Sequence, residues 1–377
     1  MLTGFATNYY MLLVFRIVVG FGLGGATIPF DLLAEFLPQS ARGRFLININ
    51  YFWTLGSMFV AGTAWVFLSA EGWHFLAIVT SIPVALSMAW AIFVLPESPR
   101  WLLLNNRGNE AEAILMDAAA YNNTTLPKFT LRPPQDLIVE SVSYSEFFKR
   151  DMLPITIPLW SLWCCFGFMY YGIVLLISRL FEKETDDDGY NCDFDYQEIF
   201  ISAASELGGV IICAFLIDRM GRVKIQVGFY VAVAVGVLLI GIKMPGSLLV
   251  VFSTIARMCA MGATIVTWVA TPELFPTRVR ASGHSIASSI GRLGAFTVPF
   301  LVSSPAPIFV VCTIIAVVSL VAAASVWFLP ETQHMRMDSR IVSVTERIEN
   351  PLVASLQQDA GIEKERARSA EAMSPPW

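Results

Sequence analysis

Apolar residues run in long blocks along this chain, and the charged residues cluster between the blocks instead of alternating with them. A helix needs about 20 predominantly apolar residues to cross a ~30 Å hydrocarbon layer. Nine stretches meet that need: 11–36, 45–70, 73–95, 153–177, 199–217, 225–242, 248–270, 283–302 and 308–329. Each predicts a transmembrane α-helix, because lipid cannot satisfy the free N–H and C=O groups of an open sheet edge. The pattern therefore predicts an all-α polytopic membrane protein.

The blocks divide the chain into four parts. Residues 1–95 hold three spans, a partial N-terminal bundle, and residues 153–332 hold six, a C-terminal bundle. Between them, 96–152 reads as a linker with short helices: 109–120 has a helix-like pattern and 127–135 is rich in proline. The tail, 333–377, has no apolar face wide enough for a core and is expected to be disordered. Composition agrees: 55% of the 377 residues are hydrophobic and 15% charged, against about 25% charged in an average soluble domain.

Charge sets the expected orientation. Arg42 and Arg44, then Arg219, Arg222 and Lys224, then Arg278 and Arg280 occupy short loops of one parity, which the positive-inside rule assigns to the cytoplasm together with the linker and the tail. The loop 182–198 carries eight acids against Lys183 and falls on the opposite side. Five cysteines, Cys164, Cys165, Cys213, Cys259 and Cys312, lie within spans as small apolar side chains, and Cys192 lies in the outer loop. Neither a disulfide framework nor a metal-ligand spacing emerges.

The chain also repeats itself. Glu35-Phe36-Leu37-Pro38 followed by Arg42 matches Glu273-Leu274-Phe275-Pro276 followed by Arg280. Upstream, Arg16 matches Arg257; downstream, Leu95-Pro96-Glu97-Ser98 matches Leu329-Pro330-Glu331-Thr332. The pairs keep their order at about 240 residues apart, so the first three spans repeat as the last three, as in secondary transporters with a site between the halves. Spans four to six, with Asp218-Arg219-Met220-Gly221-Arg222, have no earlier counterpart. The expectation is an N-terminally truncated product matching helices 4–12 of a twelve-helix parent.

These signals resemble the sugar-porter signatures of the major facilitator superfamily: Arg16 to Gly22, Glu35/Pro38/Arg42, Pro96-Glu97-Ser98-Pro99-Arg100, Asp218 to Arg222, Pro272-Glu273 and Pro330-Glu331-Thr332. Ala34-Glu35-Phe36-Leu37-Pro38, Tyr170-Tyr171-Gly172 and Ser205-Glu206-Leu207 are similar to the synaptic-vesicle-two-related and nicotinate-type organic-solute transporters. Where sugar porters carry a Gln-rich seventh helix, this chain has Trp160-Ser161-Leu162-Trp163-Cys164-Cys165. The resemblance implies the major facilitator fold and alternating-access transport of a small organic solute, an organic ion, nicotinate-like or sugar-like. It also implies a proton as candidate coupling ion, no cofactor and no nucleic-acid partner. The membrane is expected to be the plasma membrane or that of an intracellular vesicle. A different class of function, a non-transporting scaffold or trafficking protein that keeps the fold, stays open. An enzyme is not expected, since no nucleophile, base and orienting group converge in one motif.

Candidate residues follow with two readings each. In the resembled family, charges at the inner ends of the helices form gate ion pairs, which makes Glu35, Arg42, Arg100, Asp218, Arg222, Glu273 and Arg280 gating candidates; otherwise they anchor helix ends. Ionisable groups at membrane depth are functional by default. Asp31, Glu206 and Arg292 either bind solute or proton, or are structural, with Glu206 and Arg292 as a pair. Arg16 and Arg257, related by the repeat, read as structural. Tyr170, Tyr171 and Trp160, on one span with Trp163, suit stacking on a planar solute or covering a cation; alternatively they belong to an interfacial belt, as Trp268 is expected to. Two further patterns carry no function. Gly20-Phe21-Gly22-Leu23-Gly24-Gly25 lies inside a span, where small residues serve helix packing, and the acceptors Asn122 and Asn123 lie in the linker assigned to the cytoplasm, where no glycan is expected.

Overall fold

A computed structural model describes residues 1–37, 42–126, 144–182, 194–242, 244–275 and 279–332. Eleven α-helices run in order: α1 (Tyr9–Leu23), α2 (Ile28–Phe36), α3 (Arg42–Val94), α4 (Pro99–Leu104), α5 (Gly108–Tyr121), α6 (Leu153–Leu180), α7 (Tyr196–Met220), α8 (Arg222–Ile240), α9 (Gly246–Leu274), α10 (Arg280–Val302) and α11 (Ile308–Trp327). Among the described residues the only β pairing is one isolated bridge, Glu182 to Phe194.

The first expected span is broken. Asn8 caps α1 by accepting from the Met11 amide at 2.8 Å, and the helix ends where Gly24 and Gly25 donate instead to Phe21 and Gly22, three residues back. Pro29 then starts α2 without needing an N–H partner. The glycines thus serve as a breaker. No neighbour approaches within 4 Å of where a Cβ on Gly20 or Gly22 would sit, so the expected close packing there is not realised among the described residues.

α3 holds two spans. Its 53 residues would measure about 80 Å at 1.5 Å per residue, more than twice the hydrocarbon thickness. Gly72, at φ 77° and ψ 177°, turns the chain between them, in a region that side-chain-bearing residues avoid. Counting both halves of α3, the described residues hold nine helical stretches long and apolar enough to cross a membrane, matching the nine expected spans. On the linker, Ser98 caps α4 through the Trp101 amide at 3.2 Å, and Arg107 grips Glu110 with two hydrogen bonds of 2.7 and 2.6 Å. That hydrogen bond holds the Glu110 carboxyl below its usual range, but so exposed a pair adds little stability.

The best-packed part of the molecule lies in α6–α11. α6 and α10 approach so closely that a Cβ on Gly167 would meet the carbonyl oxygen of Gly291, and one on Gly294 the carbonyl oxygen of Cys164. Lipid gives helices no hydrophobic reason to associate, so such backbone approach, with its dispersion contacts, holds them. α7 lies against α9 in the same way through Gly209 and Met258. The first half of α3 then covers α7, with Gly62 against Phe200. Gly294→Ala is expected to cost roughly 1–3 kcal/mol by overpacking and to lower the thermal unfolding midpoint in detergent. Gly20→Ala, made in parallel, leaves the midpoint unchanged or higher; equal midpoints for both variants would refute the contact.

Candidate functional site

A cavity of about 340 Å³ lies between the N-terminal helices and α6, α9 and α10. Seven aromatic side chains line it: Phe30 from α2, Trp53 from α3, Trp163, Phe166, Tyr170 and Tyr171 from α6, and Trp268 from α9. The rings brace one another edge to face, Trp163 to Trp268 at 5.3 Å, Phe30 to Trp268 at 5.7 Å and Trp163 to Phe166 at 5.4 Å between centroids. Trp163 is anchored further, its Nε1 donating to Thr271 Oγ1 at 2.9 Å. Apolar walls with a few placed polar groups are the usual build of a small-molecule site.

One polar chain leads out of the cavity wall into the bundle. Trp53 Nε1 donates to Tyr170 Oη at 2.9 Å, and Tyr170 Oη donates to Glu206 Oε1 at 3.0 Å. Arg257 Nε donates to the same carboxylate oxygen at 2.9 Å, with Glu206 fully buried and Arg257 nearly so. Glu206 therefore pairs with Arg257 and not with Arg292. The close approach of α7 and α9 faces these two side chains together, whereas Arg292, on α10, projects into the cavity wall. Arg257, expected to be structural, is thus the counter-charge of the buried acid.

Arg292 reaches the carbonyl oxygen of Leu23 across the cavity. Among the described residues no carboxylate lies within ion-pair distance of it. Asp31 meets His284, whose Nδ1 lies 2.8 Å from Asp31 Oδ1. That histidine was missed in the candidates above, although the same depth argument, extended from acids and arginines to an imidazole at position 284, would have found it. Trp268 is a cavity wall and not an interfacial belt residue, because its ring packs on Phe30, Trp163 and His284. Trp160 stays outside the cavity lining and packs on Phe148 at 5.5 Å.

The gating candidates gather at one end of the bundle. The Glu35 carboxylate accepts from Ser98 Oγ, and at the repeat-related place Glu273 Oε2 accepts from Thr332 Oγ1 at 2.5 Å. Arg222 lies 3.4 Å from Glu273, and its amide and that of Val223 donate to Glu331 at 2.8 and 3.1 Å, an acid at the start of a helix. Arg280 Nε donates to the Pro272 carbonyl at 2.9 Å. These contacts tie helix ends within each half. The side chains of Arg42, Arg100 and Asp218 lie outside the described part of the structure.

A repeated three-helix unit, nine membrane-length spans among the described residues and a cavity between the halves define an integral membrane protein of the major facilitator type. Residues 1–339 match the family described as "Sugar (and other) transporter", and the chain belongs to that family. It is 31% identical over 349 residues to "Synaptic vesicle 2-related protein" of Xenopus laevis, a match covering 87% of this chain and 63% of that protein. "Organic cation/carnitine transporter 7" of Arabidopsis thaliana is 29% identical over 80% of this chain and 68% of its own. "Niacin transporter NiaP" of Acinetobacter baylyi is 28% identical over 79% of this chain and 67% of its own. The chain thus spans less than two thirds of the synaptic-vesicle relative's length. Among solved structures, the proton:xylose symporter XylE bound to 6-bromo-6-deoxy-D-glucose superposes with a TM-score of 0.65 at 21% identity, over 85% of this chain and 71% of that one, which shows the shared fold.

Proposed function

We propose that the protein is a secondary transporter that moves a small organic anion with a planar, apolar body through this cavity by alternating access. The carrying observation is the charge balance of the site. Glu206 is neutralised by Arg257 and Asp31 faces His284, while among the described residues Arg292 meets a backbone carbonyl and no carboxylate at the cavity wall. A bound carboxylate would pair with Arg292, and the aromatic walls would cover the body attached to it. A polyol fits less well against the wall of Phe30, Trp163, Phe166 and Trp268, where each buried hydroxyl left unpaired costs on the order of 1–3 kcal/mol; the lining offers it Asn50, Thr264 and Ser288 elsewhere.

Relatives and structural neighbours are named for niacin, for organic cations and carnitine, and for xylose; carnitine also has a carboxylate but bears a fixed cation on a non-planar body, so niacin, a planar aromatic carboxylate, suits both Arg292 and the rings. The clusters at Glu35 and Ser98, and at Arg222, Glu273, Glu331 and Thr332, together with Arg280, are read as gating contacts of each half, and Arg42, Arg100 and Asp218 are assigned to the same gate on the sequence pattern alone. This end faces the cytoplasm.

The test is uptake by the purified protein in liposomes, with labelled nicotinate, nicotinamide, L-carnitine and D-xylose compared. Saturable uptake of nicotinate, at least about tenfold above nicotinamide, is expected, because the two differ chiefly by the charge that Arg292 receives. Preference for carnitine or xylose would overturn the anion assignment. Uptake of none of the four would overturn transport by this site and favour the scaffold reading.

A further inference from the structure

The contact between α2 and α10 joins the two halves of the molecule, and it is made of two titratable groups. Asp31 lies in the first turn of α2 and is largely covered; His284 lies in the first turns of α10 and is completely buried. Their Nδ1 to Oδ1 distance is 2.8 Å. The other ring nitrogen of His284, Nε2, is buried and finds no hydrogen-bond partner among the described residues. Rings surround the imidazole: Trp268 at 5.2 Å, Trp163 at 5.6 Å and Phe30 at 5.9 Å between centroids. Beside the pair, Thr27 Oγ1 and Ser285 Oγ share a hydrogen bond of 3.1 Å across the same two helices.

We propose that Asp31 and His284 form a single proton-binding site that latches α2 to α10, so that taking up a proton closes this contact and releasing it opens the contact. With the imidazole neutral and the carboxylate ionised, the pair carries one negative charge. A proton delivered from water to the imidazole turns it into an imidazolium beside a carboxylate, with no net charge. An unpaired buried charge is costly in an apolar surround, while a hydrogen-bonded ion pair is tolerated. The protonated pair therefore favours the apposed helices, and the deprotonated one favours separation and hydration of Asp31. By linkage, closing the contact must raise proton affinity by the same factor.

Among the described residues, the neighbouring charges have partners of their own; the side chains of Arg42 and Arg44, on α3 packed against α2, lie outside the described part. On α2, Glu35 accepts from Ser98. From α9 come Arg257, bonded to Glu206, and Glu273, beside Arg222 and Thr332. On α10 itself, Arg280 binds the Pro272 carbonyl and Arg292 the Leu23 carbonyl. α6 presents Trp163, which does not titrate, and the turn Tyr144–Phe148 carries Glu146, 3.8 Å from Lys149. Phe30, Trp163 and Trp268 touch His284 and also line the cavity, so solute and proton would act on the same three rings. The role of the proton in transport rests on the reading above; its binding to this pair does not.

One measurement without solute decides the matter. Thr27→Cys with Ser285→Cys reports apposition by disulfide yield. Divided by the yield of the same pair carrying His284→Gln, which removes the pH dependence of thiol chemistry, it should be about fivefold or more higher at pH 5.5 than at pH 8. The same ratio with Asp31→Asn added should lose most of that rise. A ratio independent of pH, or one that Asp31→Asn leaves unchanged, would overturn the proposal. Either outcome leaves the solute panel standing, and a failed panel leaves this ratio standing.

Discussion

Arg257→Met is expected to destabilise the protein by about 3–5 kcal/mol, the usual cost of removing one partner of a buried ion pair. Glu206 has no exposed surface, and Arg257 donates to its Oε1 at 2.9 Å. Without the guanidinium, the carboxylate keeps Tyr170 as its one donor among the described residues, at 3.0 Å, with no exposed surface of its own. It must then protonate or drag α7 away from α9, and either response loses folded-state stability. Arg257→Met with Glu206→Leu is expected to recover most of the loss, because replacing both charges by apolar groups removes the desolvation cost along with the pair. Thermal unfolding in detergent, followed for the two single variants and the double variant, gives the coupling directly. If the double variant is no more stable than Arg257→Met, the pair does not account for the loss.

Arg292→Gln is expected to weaken nicotinate uptake at low concentration about 100-fold, since truncating one partner of a hydrogen-bonded charge pair that the bound solute covers costs on the order of 2–5 kcal/mol and each 1.4 kcal/mol is tenfold. Arg292→Lys should fall between the two, because an ammonium supplies the charge without the two-pronged geometry that suits a carboxylate. Residual uptake of nicotinamide should not change between the variants, which separates loss of charge recognition from a damaged fold. The same ordering should appear in thermal stabilisation by added nicotinate, measured in detergent without any gradient. Unchanged nicotinate uptake in Arg292→Gln would remove the residue from the binding site and, with it, the reason for expecting an anion.

The spans themselves needed no tertiary information. A helix that crosses lipid must satisfy its own backbone and be apolar for about 20 residues, and both conditions are local, so the nine stretches follow from the one-dimensional pattern. The repeat was equally visible, and the structure gives its matched residues matched contacts: Ser98 donates to Glu35 as Thr332 donates to Glu273. Local chemistry also explains Gly72 turning between two spans, although the glycines at 24 and 25, which break the first span, were read as packing residues instead. Partner choice was out of reach. Whether Glu206 meets Arg257 or Arg292, whether Trp268 faces lipid or the cavity, and whether Asp31 finds His284 depend on the rotation of each helix about its axis and on its crossing point. Those are decided where Gly167, Gly209 and Gly294 let backbones touch, and a helical period alone places a side chain on a face without saying which helix that face will meet.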